Sequence, residues 1–198
     1  MRLLNLRGLV ILATLVITTG CSITHPVMDD YGQYLANNGN PGQFQSVRTG
    51  EQYYLPAATQ NHRYEFRSAM VGQANLWVVE FGKALDATMR SKDVIDAFGT
   101  MKKATVESQE ISNTIVFDLQ KYSFEEFGAH VVLKISVKNA KGEVFSKTYT
   151  SHGKTQGGKM FWSGAFGMKN AIQQSTKMAV DEIVDAFIKD VKAAPSGA

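Results

Sequence analysis

The chain has 198 residues, a length that fits one domain better than two. Its 21 Lys and Arg against 18 Asp and Glu leave a net charge of +3, which excludes the dense basic footprint of a nucleic-acid binder. With 44% hydrophobic and 20% charged residues the chain is not disordered throughout, and its single cysteine excludes both an internal disulfide framework and a Cys-based zinc cluster.

The N-terminus reads as an address. Arg2 and Arg7 precede the apolar run Leu9–Ile17, LVILATLVI, and the small residues Thr18, Thr19 and Gly20 lead to Cys21. A charged start, a short apolar run and a small-residue exit predict a cleaved secretory signal over residues 1–20. The run is too short for a membrane-spanning helix, which needs roughly 20 apolar residues, and no other segment approaches that length. Thr19, Gly20 and Cys21 resemble the lipobox of bacterial lipoproteins, in which the cysteine is lipidated and becomes the first residue. Thr18 stands where that family usually has Leu. The resemblance implies a covalent lipid on Cys21 as the only attached group. Ser22 in place of Asp implies sorting to the outer membrane of a Gram-negative envelope. Loss of the signal removes two arginines and no acid, so the mature chain carries 19 basic and 18 acidic residues, net +1.

Residues 21–56 are expected to form the lipidated N-terminus and a tether. Pro26, Pro41 and Pro56, four glycines and the run Asn37-Asn38-Gly39-Asn40 favour turns, and the aromatics among them follow no period. The alternative is a segment that orders on contact with a partner. No proline occurs from Ala57 to Ala194, and this stretch of 138 residues is the expected domain. Pro195–Ala198 is a short tail.

Within the domain, Tyr64 and Phe66 alternate with charged residues and predict a strand. Trp77, Phe81, Leu85 and Met89 fall four apart and predict a helix over about 73–91. Residues 92–112 are ambiguous. Ile115, Phe117 and Leu119 alternate as a strand, and Ala129, Val131, Leu133, Ile135 and Val137 give the cleanest period-two run. Asn139-Ala140-Lys141-Gly142 supplies a turn into a partner strand over Val144–Thr150. Ile172, Ala179, Ile183, Ala186 and Phe187 mark a closing helix over about 168–192. The expected fold class is α+β, a two-layer sandwich with a mostly antiparallel sheet and two main helices on one face.

From Thr114–Tyr122, Ala129–Val137, Lys141–Gly142, Phe145–Tyr149 and the Ala171–Ile188 helix, the layout resembles the YajG-type envelope lipoproteins. That resemblance covers about the last 125 residues and implies a periplasmic α/β domain without catalytic residues.

Chemistry is sparse. His25, His62, His130 and His152 lie far apart in sequence, so no metal site is expected. No Gly-x-Ser-x-Gly elbow appears, and Gly153-Lys154-Thr155 lacks the upstream glycine of a phosphate loop. Gly157–Gly167 stands out, with Met160, Phe161, Trp162 and Phe166 set among four glycines. Such a loop either folds its aromatics back into the core, docks on a protein partner or the membrane surface, or covers a pocket. The expected function is that of a lipid-anchored periplasmic accessory protein, not an enzyme, which binds an envelope protein and no nucleic acid. The competing expectation is a carrier of a small hydrophobic ligand or lipid, its pocket lined by Trp77, Phe81, Phe117 and Leu133.

Overall fold

The computed structural model describes residues 22–47, 50–105, 113–155 and 164–194. In these the chain forms an α+β fold of two sheets and five α-helices. The larger sheet is built on a three-strand meander, β6 (Thr114–Glu125), β7 (Gly128–Asn139) and β8 (Gly142–Lys154). Alternation determines its faces. Ala129, Val131, Leu133, Ile135 and Val137 are all buried, while His130, Val132, Lys134 and Lys138 between them are half-exposed. Each fully buried Leu or Ile of this kind contributes about 1.5–3 kcal/mol. The turn into β8 uses Gly142 at φ 118°, a conformation that L side chains rarely adopt.

A bulge between Leu119 and Lys121 shifts the register of β6. Before it, Ile115, Phe117 and Leu119 oppose Val137, Ile135 and Leu133; after it, Tyr122 and Phe124 oppose Val131 and Ala129. The extra residue changes the parity of the inward positions, so one strand keeps its apolar residues on the core face through both halves.

The longest helix, α5 (Gly164–Ala193), lies along the inner face of β8 in the opposite direction. Gly153 meets Ser175, Ser151 donates a hydrogen bond to Glu182, and Phe145 and Tyr149 pack on Phe187. Lys147 and Tyr149 both donate to Asp190 at 2.7 Å. These bonds hold the Asp190 carboxyl below its ordinary value.

The stretch expected to be a tether is instead part of the domain. β1 (Ile23–Pro26) pairs in parallel with β4 (Asn75–Glu80), and β3 (Arg63–Arg67) pairs with the other edge of β4 to complete the smaller sheet. Helix α1 (Tyr31–Asn37) buries Tyr31 and Leu35, and β2 (Gln52–Tyr54) adds in parallel to β6. On the far side of β2 lies β5 (Lys102–Lys103), also parallel. Both sheets are therefore mixed, with antiparallel pairing in the meander and in β3–β4. The short helix α2 (Ala57–Gln60) follows β2, and α4 (Lys92–Phe98) precedes β5. The Thr59 hydroxyl of α2 accepts a hydrogen bond from the Leu119 amide at 2.8 Å, beside the bulge.

The helix expected over 73–91 divides into two elements. Asn75–Glu80 is strand β4, and α3 spans Phe81–Met89. Trp77, Val78 and Val79 are consecutive and all buried, so the central strand β4 is covered on both faces as well as paired on both edges. A continuous apolar run of that length is as consistent with a buried strand as with a helix. Helices α3 and α5, the two main ones, contribute to a single hydrophobic core with the inner faces of the meander.

Candidate functional site

Two segments were singled out by sequence, the lipidation cysteine and the aromatic glycine-rich stretch. Cys21, Met160, Phe161 and Trp162 lie outside the described residues; Phe166 lies within them. The described chain nevertheless shows where both segments meet the domain.

The chain enters at Ser22 and begins β1 at Ile23. Arg67, at the end of β3, donates to the Ser22 hydroxyl at 2.9 Å and to the Gln73 carbonyl at 2.6 Å. The β3–β4 connection, including a 3₁₀ turn at Ala69–Val71, lies at the same end. So does the turn Glu126–Phe127 between β6 and β7, since Phe66 packs on Phe124 with ring centroids 5.2 Å apart. The last residue of β8, Lys154, opposes Gly128, and Thr155 donates from its hydroxyl to the Phe127 carbonyl at 2.8 Å. Helix α5 starts here as well, with Met168 beside Phe66, Arg67 and Phe127 around one surface depression. Thr155 and Gly164, which flank segment 156–163, are therefore both at the end of the domain where Ser22 enters.

Phe166 is 86% exposed on the first turn of α5. It borders a groove of about 470 Å³ whose other walls include His25, Trp77, Asp30 and Lys169. His25 stacks on Trp77 at 4.4 Å between ring centroids, and its Nε2 is 2.7 Å from the Asn75 side-chain oxygen. Lys169 donates to Asp30 at 2.6 Å. Gln173 donates both to Asp30 at 2.7 Å and to the Val27 carbonyl at 2.8 Å, tying α5 to the strand exit. Burial pushes the Asp30 carboxyl up, but the hydrogen bonds from Lys169 and Gln173 outweigh it, and the group ends below its ordinary value.

The residues expected to line a carrier pocket do not line this groove as a set. Trp77, Phe81, Phe117 and Leu133 are all fully buried in the common core, and only Trp77 reaches the groove wall. The reason is packing: these four are inward positions of β4, α3, β6 and β7, filled by one another and by α5.

Sequence reading missed a histidine pair. His130 of β7 and His152 of β8 oppose each other and stack with centroids 3.6 Å apart. Their 22-residue separation hides a cross-strand neighbour; the hairpin register would have revealed it. Burial, then the neighbouring His130, holds His152 below its ordinary value. Among the described residues no three His, Cys, Asp or Glu side chains gather where a metal ion could be held.

The sequence matches no protein-family model and no curated relative. Among solved structures the chain is similar to the crystal structure of protein XCC0632 from Xanthomonas campestris, of the DUF330 family. That likeness has a TM-score of 0.43 at 14% identity, over 80% of this chain and 93% of the other, and carries no argument about function. Among the described residues no helix is long and apolar enough to cross a membrane.

Proposed function

We propose that the chain is a lipid-anchored protein of the bacterial outer membrane, with its domain in the periplasm, and that it acts as a binding accessory to a larger envelope assembly. The observation that carries this reading is the position of the only cysteine. Cys21 closes a signal-like segment and stands two residues before the first strand of the domain. Two or more acyl chains on one cysteine, at about 0.8 kcal/mol per buried CH₂, make a firm anchor.

Binding is favoured over catalysis by the character of the exposed surface. Phe166 presents a large apolar side chain to solvent, and Met160, Phe161 and Trp162 belong to the same glycine-rich stretch. Aromatic and Met side chains of this kind supply adaptable contact area. These four are the proposed contact residues for an envelope protein.

The anchor is tested by replacing Cys21 with Ala and growing cells with a labelled fatty acid. The expected outcome is loss of label and accumulation of unprocessed or unanchored chain. Retained label on the variant would refute the anchor.

A further inference from the structure

We propose that the domain is held against the bilayer in a fixed orientation, with the end formed by Ser22–Ile23, Arg67, the Glu126–Phe127 turn, Lys154 and the first turn of α5 facing the lipid. This rests on the lipid anchor proposed above and gives the anchor a partner surface on the domain.

The first argument is chain length. Cys21 and Ile23 are joined through Ser22 alone, and consecutive Cα atoms are about 3.8 Å apart, so the two Cα atoms are within about 7.6 Å of each other. The polar layer on each side of a bilayer is roughly 5–8 Å thick, the difference between a core of about 30 Å and a total of about 40–45 Å. A cysteine whose acyl chains enter the hydrocarbon thus brings the start of β1 into or onto the headgroup layer. Nor is there slack beyond it. Ser22 is bonded to Arg67, and β1 is paired with β4 from Ile23 onward. The segment that would have decoupled the domain from the membrane is folded into it.

The second argument is what this end displays. Ile23 is 55% exposed and Phe166 86% exposed, two of the large apolar side chains the domain leaves in water. They belong to different elements, β1 and α5, and Phe166 borders the groove that Pro26 of β1 also lines. An isolated exposed Phe needs no explanation, but an exposed Ile and Phe beside the anchor's entry have an occupant supplied by the anchor itself. Arg67 and Lys154 are accompanied by Glu125 and Glu126, so the charges nearly balance and contact does not depend on anionic lipid. The opposite end, around the β7–β8 turn, lies eleven residues along β8 from Lys154, about 36 Å away at the rise of a strand.

The experiment uses the processed full-length chain in vesicles of phosphatidylethanolamine and phosphatidylglycerol. Its own cysteine is blocked by lipid, so a cysteine introduced by Lys154→Cys or by Glu143→Cys is the only thiol to take a fluorophore. Flotation with the vesicles is measured first. Quenching by a phospholipid spin-labelled near the headgroup is then compared between the two labels. The expected result is flotation of both, with the label at position 154 quenched at least several-fold more than the label at 143. Adding Phe166→Ser is expected to reduce quenching at 154 while flotation persists. Flotation with equal quenching at both positions overturns the orientation and leaves the anchor standing. A chain that does not float overturns the anchor, and the orientation with it.

Discussion

His62 shows how one side chain shapes the response to acid. It is half-buried between Phe81 and Tyr122, and its Nδ1 is enclosed without a hydrogen-bond partner among the described residues. Burial lowers its affinity for a proton below the ordinary value of 6.5. In the unfolded chain the group protonates at that ordinary value, so as pH falls the unfolded state takes up the proton first. Stability therefore declines as pH drops through and below about 6.5. His152, lowered in the same direction, adds to the effect. His62→Phe is expected to show a smaller loss of melting temperature between pH 7.5 and 5.5 than the parent chain; an equal loss would contradict the assignment. Cys21 and Phe166 were singled out by their surroundings along the chain; Phe166 is exposed on the first turn of α5, and Cys21 lies outside the described residues. The His130–His152 stack was not, because it exists only once the hairpin register is set.

At the scale of elements, β8 and α5 approach each other closely at Gly153. A Cβ built on Gly153 would lie 1.9 Å from the Ser175 carbonyl oxygen and 2.8 Å from the Ala179 amide nitrogen. Both are helix backbone, which cannot turn aside as a side chain can. Gly153→Ala is expected to cost about 1–3 kcal/mol, the range for overpacking, in denaturant unfolding. Gly32→Ala, on an exposed position of α1 with nothing within 4 Å, is expected to be neutral or stabilising by about 0.5–1 kcal/mol. The opposite signs test the geometry more sharply than either variant alone. The meander, its turn and the closing helix were readable because each has one wet and one dry face, and alternation reports that directly. Strand β4 was not, because both its faces are buried and its apolar residues run on without a break. Its partner β1 sat in a proline- and glycine-rich stretch that resembles loop, so missing one strand concealed the other. The aromatic stripe at 77, 81, 85 and 89 then crossed a strand–helix junction and imitated a single helix.

At the scale of the molecule, the 33 described positions among residues 22–56 are structural. A chain beginning at Ala57 would lack β1, α1 and β2; it would strip Trp77 of the His25 ring stacked on it and leave β6 without its β2 neighbour at Ile115. Such a chain is expected to show no cooperative thermal transition by circular dichroism. Retention of the full melting temperature would restore the reading of this stretch as a spacer. The composition of residues 22–56 could not disclose this, since its turn residues are genuine and it is bound to the core by strand pairing and long-range hydrogen bonds as well as by buried side chains. The stitching of the two chain ends also sets a schedule for folding. Gln173 reaches Val27 across 146 positions and Lys192 reaches Gln45 across 147. The bonds that Val27 and Gln45 make with the last helix can form only once that helix is in place, although β1 and β2 pair with strands nearer in sequence. Such long closures slow folding. The meander, whose pairings are local, can form before that closure, and the last helix then joins it to the N-terminal elements.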